Sequence, residues 1–208
     1  MKTFCLLLIL IHVVLSTCVQ DVNAIYEVFG LSLDGIVNGK VWQFLSYGFL
    51  HGNWWHLAVN TMCIALLGLK LQQILDWKKA LAVTMLAVLL GGGGYLLMNV
   101  FLPENQQGVL VGVSGGMMGL LLCLTTLDPD HRIWVTRIRS KHLGMGFLIS
   151  SLCLALLTPA LGVPVFSSIG EMLGNVFGEE MFYVSHACHF GGGIAGLFCG
   201  QYILRMIR

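Results

Sequence analysis

Long runs of apolar residues, interrupted by short polar segments, dominate this chain of 208 residues. Six runs approach the ~20 residues that cross the hydrocarbon core of a bilayer. They cover residues 4–19, 54–69, 80–101, 109–127, 143–161 and 186–204. Because backbone polar groups must pair internally in lipid, we expect each run to be a helix. The pattern predicts an all-α polytopic membrane protein with six transmembrane helices.

Composition supports this prediction and excludes several classes of protein. The chain is 57% hydrophobic and only 10% charged, and its mean hydropathy is +0.84, whereas soluble domains carry about 25% charged residues. These values exclude an ordinary soluble domain, a disordered chain and a nucleic-acid-binding protein. Residues 1–208 are expected to form a single membrane domain. Its expected surroundings are the lipid bilayer, and no nucleic-acid partner is expected.

The distribution of charge predicts the orientation. With a cytoplasmic N-terminus, ten of the eleven Lys and Arg residues fall on the inside and only Lys40 falls outside. Such a bias follows the positive-inside rule, so we expect both termini in the cytoplasm and a multi-pass protein of the plasma (inner) membrane. An alternative for Met1–Val19 is a cleaved signal peptide, with Cys18 as a weak lipoprotein site. In either case the following residues lie outside.

Two outer segments are long for so small a protein. Residues 20–53 mix apolar, aromatic and turn residues, and are expected to lie in the membrane interface. Residues 162–183 contain Pro164, glycines and acids, and are predicted to form a flexible or partly helical lid. The seven cysteines are odd in number and form no CxxC pair, which favours packing roles over disulfides or a zinc site.

Candidate chemistry begins with Ser114, near the outer end of the fourth run in Gly112-Val113-Ser114-Gly115-Gly116. Flanking glycines allow the sharp turn and close approach that an exposed nucleophile requires. The same small residues also serve helix packing in membranes, so this motif alone leaves packing as the alternative.

A histidine at the start of the sixth run supplies a possible base. His189 shares a helical face with Gly192 and Gly196, and such a face permits close approach of a neighbouring helix. If that neighbour carries Ser114, the two side chains form a nucleophile–base pair. His186 lacks the glycine face and is interpreted as structural. No carboxylate lies within a predicted span, which favours a Ser–His dyad over a triad.

A third cluster lies at the outer start of the second run. His56 and Asn60 are four residues apart and therefore share a helical face. Both donate hydrogen bonds without a permanent charge, as an oxyanion hole in a low-dielectric site requires. The alternative is a pair of residues that hydrogen-bond to neighbouring helices.

Together these motifs resemble the rhomboid family of intramembrane serine proteases, in its minimal six-span bacterial form. The resemblance rests on three motifs in order, on spans two, four and six, and runs from about residue 42 to residue 200. The motifs are His56-x-x-x-Asn60, Gly112-x-Ser114-Gly115 and His189-x-x-Gly192-x-x-x-Gly196.

The resemblance implies a serine endopeptidase that hydrolyses single-span membrane proteins near the outer face of the bilayer. Ser114 would be the nucleophile and His189 the general base and acid. His56, Asn60 and the Ser114 amide would form the oxyanion hole. Neither a cofactor nor a metal is implied.

The chain departs from the family pattern at three positions. Met118 stands where an aromatic residue often stacks on the catalytic histidine, Gln43 where Arg is common, and Gln72 where Glu is common. Alternatives of another class are an inactive rhomboid-like binding protein and a small transporter. A further alternative is a metal site built from four histidines, His51, His56, His186 and His189.

Overall fold

In a computed structural model, each of the six apolar runs contains one long helix. The structure describes residues 1–102, 108–132, 137–182 and 185–207. Glu104 and Arg208, two charges that bear on orientation, and Tyr183, the last residue of the predicted lid, lie outside these ranges. Within the described residues there is no strand longer than an isolated bridge. The predicted all-α class is therefore confirmed for the described part of the chain.

Ten α-helices occur in the described residues, numbered here in chain order. They are α1 (Lys2–Cys18), α2 (Val22–Phe29), α3 (Leu33–Val37), α4 (Gln43–Ser46), α5 (Trp54–Leu71), α6 (Trp77–Asn99), α7 (Ser114–Leu127), α8 (Ser140–Leu156), α9 (Pro164–Phe177) and α10 (His186–Ile207). Helices α1, α5, α6, α7, α8 and α10 fall on the six predicted runs. Helix α9 lies in the segment predicted to be a lid.

Helix length and hydropathy differ among these six helices. In the described residues, α5 and α6 are long and apolar enough to cross a membrane, whereas α1, α7 and α8 are apolar helices of 17, 14 and 17 residues. The membrane character of the chain is supported. The count of six spans stays a prediction.

Two predicted boundaries are wrong. The fourth run was expected to be helical from residue 109, but α7 begins only at Ser114. The preceding residues are extended, because Leu110 pairs with Leu31 through two backbone hydrogen bonds of 2.8 and 3.0 Å. The fifth run was expected to continue to residue 161, but α8 ends at Leu156. Pro159 lies three residues further on, and the helical conformation is disfavoured for Thr158, the residue before it.

The centre of the fold is the packing of α10 on α7 and α6. Glycines on the facing sides bring the backbones together. A Cβ placed on Gly192 would lie 2.9 Å from the Cα of Gly115, and one placed on Gly196 would lie 2.7 Å from the Cα of Gly119. Contacts this short exclude any larger residue without a shift of the helices. The small-residue face predicted for His189, Gly192 and Gly196 thus packs against α7.

Residues 20–53 fold into a packed unit built around Gln43, which is fully buried. Its Oε1 accepts from the Ser32 amide at 3.2 Å, and its Nε2 donates to the carbonyls of Glu27 and Val28 at 3.1 and 3.2 Å. Each amide atom therefore has a partner. A glutamine at this position ties the two halves of the segment together without a charge.

The glycine interface generates a prediction with a matched control. We expect Gly196→Ala to lower the free energy of unfolding by about 1–3 kcal/mol, since the added methyl would overlap the Gly119 backbone. Gly93→Ala, in the middle of α6, has no atom within 4 Å of the added carbon. It should leave stability unchanged or raise it by up to about 1 kcal/mol. Thermal unfolding in detergent, followed by circular dichroism, compares the two. Equal melting temperatures would contradict the close approach.

Candidate active site

Ser114 is presented by an abrupt change from extended backbone to helix. The amide of Gly112 donates to the Tyr47 carbonyl at 2.9 Å, which fixes the segment before the serine. Gly112 has a φ of 116°, a conformation that only glycine adopts readily. Helix α7 starts two residues later at Ser114, where the first N–H groups of a helix have no partner within the helix.

His189 reaches Ser114 from the first turn of α10. Its Nε2 lies 2.9 Å from the Ser114 Oγ, within hydrogen-bond distance. Ser185 begins this turn, because its Oγ accepts from the Cys188 amide at 3.3 Å and its carbonyl accepts from the His189 amide at 3.1 Å. The two glycine contacts between α7 and α10 lie directly below the pair. The structure therefore brings together the two side chains predicted to act as nucleophile and base.

His56 and Asn60 lie on the other side of Gly112. A Cβ on Gly112 would lie 2.6 Å from the His56 Nε2 and 3.4 Å from the Asn60 Nδ2. Asn53 caps α5 by accepting from the His56 amide at 2.8 Å. Asn60 is only 2% exposed, and its Nδ2 has no hydrogen-bond partner among the described residues. A buried, unpaired N–H group at this position has the property that the predicted oxyanion hole requires.

These four side chains line one cavity of about 960 Å³. Its walls also contain residues that sequence reasoning missed, among them Tyr95, Met117 and Phe182. Tyr95 follows four consecutive glycines in α6, and its hydroxyl donates to the Gly108 carbonyl at 2.6 Å. No Asp or Glu is among the described residues that line the cavity. The pair of Ser114 and His189 therefore has no carboxylate beside it in the described wall.

The remaining histidines have other surroundings. The ring nitrogen of His186 donates to the Met181 carbonyl at 2.7 Å, as a structural residue would. His51 is fully buried, and its ring stands edge-on to that of His56 with centroids 5.2 Å apart. Burial, and next the neighbouring His56 and His12, lower the pKa of His51 to about 3, so this ring is neutral. Among the described residues, no three His, Cys, Asp or Glu side chains are placed to hold a metal ion.

Comparison with known proteins identifies the family. The rhomboid domain model matches residues 38–206, which is most of the chain. The chain belongs to the rhomboid family. It is 27% identical to RHOMBOID-like protein 5 of Arabidopsis thaliana over 170 residues, which make up 81% of this chain and 46% of that protein. RHOMBOID-like protein 4 of the same plant is 31% identical over 127 residues, or 57% of this chain and 32% of the relative. The chain spans less than half the length of these relatives.

The three departures of this rhomboid from the family pattern have different surroundings. Met118 is 3% exposed and lies in an apolar cluster with Leu122 and Leu148, against which Phe190 packs. Met118 thus packs among apolar side chains of α7, α8 and α10, one helical turn after Ser114. Gln43 has a partner for each amide atom, as described above. Gln72 follows the last turn of α5, and its Nε2 is buried without a hydrogen-bond partner among the described residues.

Proposed function

We propose that this rhomboid is an intramembrane serine endopeptidase that uses a Ser114–His189 dyad. The observation that carries the proposal is the 2.9 Å distance between Ser114 Oγ and His189 Nε2 at the wall of a large cavity. A serine hydroxyl becomes a useful nucleophile when a neighbouring base accepts its proton. Family membership supports the same chemistry independently of the distance.

The proposed reaction has two stages. In the first, Ser114 Oγ attacks the substrate carbonyl while its proton passes to His189 Nε2. The tetrahedral intermediate then collapses, His189 returns the proton to the leaving amine, and an acyl-enzyme remains. In the second stage His189 takes a proton from water, the hydroxide attacks the ester, and Ser114 recovers its proton as the acid product leaves. The residues need no cofactor for these steps.

Asn60, His56 and the Ser114 amide are proposed to hold the developing oxyanion. The contacts of Gly112 support this role, because the Asn60 amide and the His56 ring both lie against this residue, two positions before Ser114. Donors that are fixed before the reaction cost no reorganisation when the charge appears.

The proposed substrates are single-span membrane proteins, cut near the outer face of the bilayer. The bias of ten basic residues to one supports an active site on the outer side and cytoplasmic termini, in the plasma (inner) membrane. Polar residues clustered at one end of the helices would let water enter there.

The central prediction is loss of activity without loss of structure. We expect Ser114→Ala and His189→Ala each to lower the cleavage rate of a single-span substrate by at least about 10⁴-fold, because neither half of the pair works alone. Purified protein in detergent is compared with Ser150→Ala and His142→Ala, which remove the same side chains from exposed positions on α8. A fluorophosphonate probe should label the wild type and both controls. Robust cleavage by Ser114→Ala would overturn the proposal.

A second prediction separates oxyanion stabilisation from helix packing. We expect Asn60→Ala and His56→Ala each to reduce kcat by about 100- to 1000-fold, with KM and melting temperature little changed. Residual turnover should persist, because the Ser114 amide remains as a donor. Thr61→Ala on the same helix, which removes a hydroxyl bonded to the Leu57 carbonyl, serves as the control. A large fall in melting temperature with near-normal turnover by the folded fraction would assign the two residues to packing instead.

The third prediction concerns orientation. A reporter fused to the C-terminus should be active if it works only in the cytoplasm, and inactive if it works only after export. Ser114 and His189 should then face the exported side. Activity of an export-dependent reporter at the C-terminus would reverse the proposed topology.

A further inference from the structure

Helix α9 carries three separate stripes of residues along its length. Residues three and four apart share a helical face, and each stripe follows this spacing. The buried stripe consists of small residues, Ser167, Gly170 and Gly174. The exposed polar stripe consists of Ser168, Glu171 and Asn175. The exposed apolar stripe consists of Val165, Ile169, Met172 and Val176.

The three stripes point in three directions. At about 100° per residue, the polar stripe lies roughly 100° from the small stripe, and the apolar stripe lies roughly 100° further round. Phe166 and Phe177 widen the apolar face, and Phe177 is 71% exposed. A helix that only covered a protein surface in water would have polar residues on all of its outer side. Helix α9 therefore meets protein, water and an apolar medium at once.

The small stripe fixes α9 across the outer end of α8. A Cβ on Gly170 would overlap the Leu157 carbonyl, one residue beyond α8, and would lie 3.3 Å from the Pro159 ring. A Cβ on Gly174 would lie 3.9 Å from the Phe182 ring. Helix α9 thus lies at the depth where α8 ends, against both stretches that flank it in the chain.

The exposed apolar surface of α8 continues to its last residue. Large apolar side chains are exposed along that helix at Phe147, Ile149, Leu152 and Leu156. The membrane-facing surface of α8 therefore reaches the level of α9. Gly170 contacts Leu157 directly after α8, so the exposed apolar stripe of α9 starts at the level where the exposed apolar surface of α8 ends. At this shared level, the medium that covers the surface of α8, lipid hydrocarbon, is also the one that suits the stripe of α9.

We propose that α9 is an interfacial helix whose apolar stripe is inserted in the outer leaflet and whose polar stripe faces water. Interfacial helices of this kind bury their apolar face about 5–10 Å into the boundary between headgroups and acyl chains. The helix has one charged residue, Glu171, and it belongs to the polar stripe. The partner of this surface is the hydrocarbon of the lipid.

The anchor also bears on the cavity. The small stripe of α9 contacts the chain segments just before and just after the helix. These two segments also line the cavity, through Thr158 and Ala160 before α9 and Phe182 after it. Lipid insertion of α9 would therefore hold this wall in place. This consequence, unlike the lipid contact itself, rests on the proposed protease function.

Fluorescence quenching tests the lipid contact without any need for catalysis. An environment-sensitive dye is attached to Met172→Cys and, as the matched control, to Asn175→Cys, in phosphatidylcholine vesicles. A second pair, Val176→Cys and Glu171→Cys, covers the case in which one variant fails to fold. The background lacks the exposed or partly exposed native cysteines, which are Cys18, Cys63, Cys153 and Cys199.

Nitroxide lipid should quench the dye at residues 172 and 176 at least about threefold more than at residues 175 and 171, as expected for insertion of one face. Aqueous iodide should give the opposite order. Iodide quenching at all four positions would overturn the proposal in favour of a water-exposed helix. Protection of residues 172 and 176 from both quenchers would overturn it in favour of contact with a second copy or another protein.

Cleavage assays test the effect on the wall. In vesicles, Ile169→Asn should reduce cleavage at least about tenfold, because small displacements of a site are costly. Ser168→Asn, its neighbour on the polar stripe, should not reduce it. Equal activities alongside a lipid-inserted dye would keep the lipid contact and overturn the positioning of the wall. Absence of cleavage by the wild-type protein itself, with normal quenching, would count against the protease proposal alone.

Discussion

The rest of this structure depends on the direct backbone contact of α7 with α10 at two pairs of glycines. Gly115 faces Gly192, and Gly119 faces Gly196. The two backbones are so close at these pairs that a larger residue would not fit. In a membrane, where the hydrophobic effect does not drive helices together, such contacts supply the packing that holds them. The distance between Ser114 and His189 is a consequence of this contact, because each side chain lies within one turn of the first glycine pair. The serine side chain is short, so the histidine can reach it only because the two helix backbones lie this close together.

A second set of contacts holds the turn before Ser114 in place. Residues 20–47 connect α1 to the segment before α5, and they also contact the chain before α7. Leu31 pairs with Leu110 through backbone hydrogen bonds, and the Tyr47 carbonyl accepts from the Gly112 amide. The Tyr47 hydroxyl also donates to the Val88 carbonyl at 2.6 Å, which links the same turn to α6. Residues 20–47 therefore position Ser114 from one side, while the glycine contact positions His189 from the other. Both supports act on the backbone, so neither requires a charge in the membrane.

Sequence patterns predicted most of the helices and the composition of the site, for physical reasons. Charges are excluded from lipid, so the gaps between charges mark the runs, and the glycine spacing around His189 marks the face that packs. The start of α7 escaped prediction because Val109–Val113 is apolar in either conformation. Its extended shape depends on hydrogen bonds to Leu31 and Tyr47, which are far away in sequence. Pro159 is a local indication that α8 ends early, at Leu156. The predicted end was placed at residue 161 because the sequence stays apolar to that point. Tyr95 and Phe182 line the cavity because the fold brings them there from distant parts of the chain, and no local sequence pattern predicts such a position.

The unpaired amide of Asn60 connects stability to the proposed chemistry. A buried donor without a partner costs about 1–3 kcal/mol in the folded state. Packing between α5 and α7 offsets such a cost, since Leu57 and Ile64 on α5 are buried in the main core. A donor that was already satisfied would have to break a bond before it could hold an oxyanion. The unpaired Asn60 amide is therefore suited to the proposed role of stabilising a transient charge, because it needs to give up no other bond.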